Sequence, residues 1–173
     1  MFKHILTATF LVGFASTAAI AADAKISDPQ IAHIAYTAGQ IDVTAAEQAV
    51  KKSKNPEVVE FAKTMERDHK SVNEQALALV KKLKVTPEDN DVSKSLSAQA
   101  SKELAKLGKL DGKAFDKAYI DNEVAYHKAV NDALSKQLIP SAKNAELKSL
   151  LETGLTLFQE HQTHAEHLAA AMK

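Results

Sequence analysis

Residues 61–69, Phe-Ala-Lys-Thr-Met-Glu-Arg-Asp-His, indicate the fold and contain its most unusual feature. The apolar residues of this segment recur every three or four positions, which is the spacing of one face of an α-helix. The position after Met65 on that face is occupied by His69, so a histidine takes a core position in a long amphipathic helix. Beyond it the apolar face continues through Val72, Ala76, Leu79 and Leu83.

The composition favours one helical domain. The chain has 173 residues, which is enough for a single well-filled core. It is 45% hydrophobic but only 5% aromatic, and much of the apolar content is Ala and Leu, which suit helices better than sheets. Basic and acidic residues both number 22, so no basic surface for nucleic acid is predicted. The absence of cysteine excludes disulfides, thiolate metal sites and thiol catalysis.

Residues 1–21 have the pattern of a secretory signal peptide. Lys3 supplies a positive charge, residues 5–20 are largely apolar, and Ala19-Ile20-Ala21 is a small-x-small cleavage site. The apolar run is short for a bilayer-spanning helix, so we expect cleavage and no transmembrane segment afterwards. The mature protein is therefore expected to be exported.

Residues 27–173 are predicted to form the folded domain, and its first half contains two long helices. Asp28-Pro29 and Asn55-Pro56 each combine a capping residue with a proline, the pattern of a helix start. The first helix should end in the lysine cluster 51–54 and the second near Lys84. Because the connection between them is so short, the two helices should form an antiparallel hairpin.

The second half is predicted to repeat this arrangement after a crossover. Residues 86–91 interrupt the helical pattern, and a weaker, Ser- and Lys-rich helix at 92–110 is expected to lie outside the bundle. Two long helices follow at 114–137 and 143–172, with Pro140 ending the former. Two hairpins joined by a long crossover make a ferritin-like four-helix bundle. The alternative is an up-down-up-down bundle with a decorated loop.

Helical spacing places several ionisable residues on the inward faces. Glu123 and His127 are four residues apart and share a face, whereas His164 lies one turn beyond His161 at the flank of its face. Carboxylates and imidazoles that converge from several helices are how bundles hold transition metals such as Zn, Fe, Mn or Cu. The candidate metal ligands are Asp42 (at the edge of its apolar face), His69, Glu123, His127, His161 and His164.

Two other interpretations remain open. A core histidine can stay neutral and donate a ring N–H to a carboxylate, so the layer could be purely hydrogen-bonded in a structural or interaction protein. A metal-dependent redox enzyme is the other alternative. Glu66-x-x-His69 has the spacing of di-iron bundles, but the third helix carries Glu-x-x-x-His instead. No catalytic residue is predicted, and the alanine-rich faces would permit a homo-oligomer.

Three motifs resemble those of a family of exported bacterial ferritin-like proteins, domain of unknown function 4142. The first is Asn55-Pro56-Glu57-Val58 followed by Phe61-Ala62-x-x-Met65-x-x-Asp68-His69-x-x-x-Asn73. The second is Phe115-Asp116-x-x-Tyr119 followed by His127, and the third is His161 with Ala165 and Leu168 after it. The resemblance covers residues 28–170 and implies a ferritin-like bundle in the periplasm or at the outer membrane. It implies no particular activity.

Overall fold

The computed structural model describes residues 26–172, and the signal peptide predicted at 1–21 lies outside them. Helix is the only regular structure in the described part of the chain. None of its helices combines the length and apolarity needed to cross a bilayer. The elements are α1 (Asp28–Lys52), α2 (Pro56–Leu83), α3 (Asp91–Leu107), α4 (Gly112–Ala133), a π-helix (Leu134–Leu138), α5 (Ile139–Ser141) and α6 (Ala145–Ala171).

The helix starts follow the predicted cap-and-proline pattern, with one difference. The side chain of Asn55 accepts a hydrogen bond from the backbone of Glu57, as expected of the α2 cap. At α1 the cap is Ser27, one residue before the predicted Asp28, and it forms a reciprocal capping box with Gln30. The Asp28 carboxylate is thereby free to accept the backbone N–H groups that precede α6, both at 2.8 Å. This contact joins the start of α1 to the start of α6.

The predicted crossover is confirmed by contacts at both ends of α3. At one end the backbone N–H of Glu88 donates to the carbonyl of Pro29 at 3.1 Å. At the other end the Gln48 amide donates to the carbonyl of Leu104, also at 3.1 Å. Thus α3 runs alongside α1 in the same direction and returns the chain to the α1–α2 turn, where α4 begins. The result is the ferritin-like order of two hairpins joined by a crossover.

The prediction that Pro140 ends the third long helix is wrong. The backbone stays helical through a π-helix at Leu134–Leu138 and a last turn at Ile139–Ser141. The N–H of Ile139 bonds to the carbonyl of Leu134, five residues back, and this wider turn accommodates a proline ring that would otherwise meet the carbonyl four residues before it. The helix therefore ends only at Ala142, whose backbone is extended.

A polar layer divides the bundle core into two apolar clusters. The alanine–aromatic cluster lies near the α1–α2 turn, and the leucine cluster lies toward the start of α6. The former consists of Ala45, Ala46, Ala49, Val58, Phe61, Ala62, Met65, Leu107, Phe115, Tyr119, Ile120, Ala165 and Leu168. The latter consists of Ile31, Ile34, Leu134, Leu138, Leu147, Leu151 and Phe158. Between them, on all four long helices, lies the polar layer of Asp42, His69, Glu123, His127 and His161.

Candidate functional site

Five of the six predicted metal ligands are brought together in the polar layer, each only 1 to 4% exposed. Asp42, which helical phase placed at the edge of its face, is fully inside because α1 packs against α2, α3, α4 and α6 together. The buried surface of α1 is therefore wider than the single apolar stripe that helical periodicity predicts.

The sixth predicted ligand, His164, lies elsewhere. It is exposed on α6, and its ring is roughly perpendicular to that of Phe61, with 5.1 Å between the ring centroids. Three residues along a helix rotate a side chain by about 60° from the starting direction, enough to move it out of the core. His161 is the histidine that points inward, and His164 does not belong to the layer.

Three ligand atoms form a nearly regular triangle at the centre of the layer. The Nε2 atoms of His69 and His127 are 3.4 Å apart. The Oδ2 atom of Asp42 lies 3.4 Å from the former and 3.6 Å from the latter. These separations exceed the roughly 2.7–3.2 Å of normal N–H···O hydrogen bonds. The three atoms surround a common centre, and no two of them form a strong hydrogen bond.

Hydrogen bonds outside the triangle fix the tautomers of His127 and His161. The Nδ1 atom of His127 is 3.0 Å from the carbonyl oxygen of Glu123 and must donate to it, which leaves a lone pair on Nε2. The Nε2 atom of His161 is 3.0 Å from Oδ2 of Asp68 and donates to that carboxylate, which leaves the lone pair on Nδ1. One ring nitrogen from each of His69, His127 and His161 lies within 4.8 Å of the others.

Asp68 was not among the predicted site residues. Its side chain points away from the stripe that contains His69, so helical phase gave no reason to include it. The available signal was its place in the motif Met65-x-x-Asp68-His69. Its contact with α6 depends on how two helices pack and could not be obtained from the sequence of either one.

The buried carboxyl groups of Asp42 and Glu123 lie in surroundings that disfavour their ionised form. Burial raises the pKa of Asp42, and burial together with the nearby charge of Asp42 raises the pKa of Glu123 well above its usual value. Among residues 26–172, no Lys or Arg forms an ion pair with either one. Two adjacent carboxyl groups without a cationic partner must share a proton or receive a cation.

The three histidines are neutral at physiological pH. Burial lowers the pKa of each ring to about 4. Neutral imidazole is the form that binds transition metals. The side chains are also held in place by packing, because the ring of Phe158 stacks on His69 with centroids 4.5 Å apart and planes 9° from parallel. The layer is therefore preorganised.

Several polar atoms in the layer have no hydrogen-bond partner in the described part of the chain. An unsatisfied buried polar atom costs about 1–3 kcal/mol, so a bound ion or a shared proton would stabilise the layer. They are both carboxylate oxygens of Asp42, Oε2 of Glu123, and Nδ1 of His69 and of His161.

The bundle and its layer define a class: a ferritin-like helical protein with a buried cluster of imidazole and carboxylate groups. The family described as domain of unknown function (DUF4142) matches residues 14–168, and the chain belongs to it. The resemblance seen in the three sequence motifs is thus confirmed. A search of curated proteins found no match.

Among solved structures, the crystal structure of the "putative secreted protein DUF305" from Streptomyces coelicolor has a similar fold. The TM-score is 0.68 at 14% sequence identity, and the similarity covers 83% of this chain and 91% of that chain. At this identity the similarity supports the all-helical architecture and carries no statement about activity.

Proposed function

We propose that this protein is exported to the periplasm and binds one divalent transition-metal ion inside its helical bundle. Asp42, His69, His127 and His161 are the ligands, and Glu123 beside them supplies a second negative charge. The proposed activity is binding, because the side chains that would touch the ion are enclosed by four helices and are almost completely buried.

The triangle formed by Asp42, His69 and His127 is the observation that carries this proposal. Tetrahedral zinc with bonds of about 2.0–2.1 Å to nitrogen and oxygen requires its ligand atoms to be about 3.3–3.4 Å apart. The three separations of 3.4, 3.4 and 3.6 Å agree with that requirement. Asp42, His69 and His127 would therefore hold the ion without moving apart or together.

His161 is the fourth ligand. Its Nε2 is occupied by Asp68, so its Nδ1 is the atom with a free lone pair, and Nδ1 is buried without a partner. A carboxylate that accepts the outer ring N–H is the usual arrangement behind a metal-ligating histidine. His127 has the same arrangement with the carbonyl of Glu123 as the acceptor.

Charge balance also supports a divalent ion. The ionised carboxylates of Asp42 and Glu123 together carry two negative charges, and the three histidines are neutral. A divalent cation would leave the interior with no net charge and would remove the reason for the raised carboxyl pKa values. Imidazole with one carboxylate suits Zn²⁺ or Cu²⁺ better than Mn²⁺.

A dinuclear redox site receives less support. It would require carboxylates from all four helices. Glu66, the residue whose spacing to His69 suggested such a site, faces outward and forms an ion pair with Lys70 at 2.6 Å. We therefore place only one metal ion in the layer.

The localisation rests on the N-terminal pattern. The lysine, apolar run and small-x-small site at residues 1–21 are those of a signal peptide. The similar Streptomyces coelicolor protein carries "secreted" in its name. We propose the periplasm as the destination.

Elemental analysis of untagged protein from its native periplasm, followed by zinc titration against a competing chelator, tests this function. We expect one metal equivalent per chain and a dissociation constant well below micromolar. The variant His127→Gln should weaken binding by at least about 100-fold, since it removes one of four ligands. His164→Gln is the matched control and should bind as the unmodified protein does. Protein that contains no metal and binds none below micromolar would overturn the proposal in favour of a hydrogen-bonded structural layer.

A further inference from the structure

Asp68 connects the buried layer to the surface. Its side chain is 17% exposed, whereas the side chain of His161, with which it bonds, is 5% exposed. On its other side its Oδ1 accepts a hydrogen bond at 2.7 Å from the Nε of Arg67, which is mostly solvated. Asp68 is thus a carboxylate with one oxygen toward a layer histidine and the other toward a surface cation.

We propose that Asp68 is both the positioning residue for His161 and the port through which the metal ion reaches the layer. This inference rests on the proposed function and extends it by assigning a route and an orienting group. The route follows the contact between α2 and α6, where Asp68 and His161 meet.

The positioning role follows from the tautomer. Imidazole carries one N–H in its neutral form, and whichever nitrogen holds it cannot bind a metal. Because the Asp68 carboxylate accepts from Nε2 of His161 at 3.0 Å, the proton stays on Nε2 and the buried Nδ1 keeps its lone pair. Without Asp68 the proton could move to Nδ1, and the ring would lose its fixed orientation.

The port role follows from charge and exposure. A hydrated cation that approaches the α2–α6 contact meets a partly exposed carboxylate before it meets the buried nitrogens. A negative charge at the mouth of a low-dielectric site raises the local concentration of cations and the rate of association. The side chain of Arg67 is 71% exposed and its guanidinium can swing into solvent as the cation arrives.

Two substitutions separate the two roles. Asp68→Asn keeps an oxygen that accepts from Nε2 of His161 but removes the negative charge. Metal association should slow several-fold, and the affinity should fall by about the same factor, because the loss of an attractive charge does not slow dissociation. Asp68→Ala removes the acceptor as well, and the affinity should fall by about 10–100-fold, as is typical when the outer partner of a ligating histidine is lost.

The experiment uses the full mature protein, with Co²⁺ as the probe in stopped-flow absorption and in equilibrium titration with Zn²⁺ competition. Asp121→Asn is the matched control, since Asp121 is an exposed carboxylate on α4 whose partner is Lys117. The control should have unchanged rates and affinity. The ¹⁵N shifts of His161 in metal-free protein give a readout without metal: Nε2–H in the unmodified protein and in Asp68→Asn, and a mixture of tautomers in Asp68→Ala.

Each result tests a different part of the proposal. If Asp68→Asn binds Co²⁺ as fast as the Asp121→Asn control does, the port is wrong. If Asp68→Ala keeps both the tautomer and the affinity, the positioning role is wrong. Failure of the unmodified protein to bind Co²⁺ or Zn²⁺ would instead refute the proposed function, and this inference with it. Asp68→Asn preserves side-chain shape, so it decides the first question even if the alanine variant folds poorly.

Discussion

The alanine–aromatic cluster and the polar layer occupy adjacent turns of the same helices and are buried to almost the same degree, yet they affect stability in opposite ways. Phe61 and Tyr119 in the cluster are fully buried and pack edge to face, which stabilises the fold. Asp42 and Glu123 in the layer are buried without a cationic partner, which destabilises it. Destabilising groups next to a well-packed apolar cluster are what the proposed metal-binding function would require.

Acidification should have the largest effect on the free energy of unfolding, and this effect should come from the polar layer and not from the alanine–aromatic cluster. The histidines of the unfolded chain bind protons as the pH falls through about 6.5. The three buried histidines of the folded layer bind protons only near pH 4, because burial lowers their pKa values. Each of the three histidines therefore favours the unfolded state in this window. The raised pKa values of Asp42 and Glu123 act in the opposite direction, because the folded state keeps a carboxyl proton that the unfolded chain has released.

On acidification the unfolded state gains up to three protons at these histidines, whereas the folded state holds only one or two extra protons at its buried carboxyl groups. The unfolded state should therefore bind more protons overall. The free energy of unfolding of metal-free protein should then fall as the pH drops from about 5.5 to 4.5, by about 1.4 kcal/mol per pH unit for each proton that the unfolded state binds in excess. Urea denaturation at a series of pH values measures this slope. His161→Gln should flatten it, because one of the three histidines with a lowered pKa is removed. A stability that is constant or rises on acidification would contradict neutral buried histidines.

Truncation within the alanine–aromatic cluster should give the next largest effect. Phe61→Ala should lower the free energy of unfolding by about 3–5 kcal/mol, because it leaves a cavity next to Tyr119 and Phe115. Urea denaturation at pH 7 gives the value, and Phe61→Leu provides a milder variant if the alanine protein does not fold. The folded fraction should bind metal with unchanged affinity, and a large loss of affinity would show that the two regions are not separable.

Replacing both buried carboxyl groups by amides should have a smaller and opposite effect on stability. Asp42→Asn combined with Glu123→Gln keeps the side-chain shapes and removes the ionisable groups. We expect metal-free protein to gain about 1–3 kcal/mol at pH 7, and metal binding to be abolished. Thermal denaturation with and without Zn²⁺ measures both. A destabilised double variant would mean that the carboxyl groups stabilise the fold by themselves.

The smallest effect concerns the leucine cluster. An alanine Cβ at Gly154 would meet the Phe158 ring at 3.4 Å, an ordinary contact, so Gly154→Ala should stabilise α6 by about 0.5–1 kcal/mol. Gly39→Ala is the contrasting variant, since its Cβ would lie 2.2 Å from Oδ1 of Asn73 and should destabilise the fold. Denaturation midpoints compare the two. A loss of stability in Gly154→Ala would show that the Phe158 ring, which stacks on His69, cannot move at all.

The sequence predicted most of the helices because helical periodicity and capping are local. The start of α2 at Asn55-Pro56, the crossover helix and the ferritin-like order of hairpins are all found in the structure. The inward positions of His69, Glu123 and His127 followed from three- and four-residue spacing alone. The continuation of the helix past Pro140 was missed, since a π-turn depends on how the surrounding helices hold the chain.

By itself, the sequence determined that ionisable groups would enter a helical core, because a repeat of 3.6 residues fixes which side chains share a face. Only the tertiary structure decided that Asp42 is inside, that His161 and not His164 faces the layer, and that Asp68 bonds across to α6. These facts depend on the angle and height at which separate helices pack, and no periodicity within one helix contains that information.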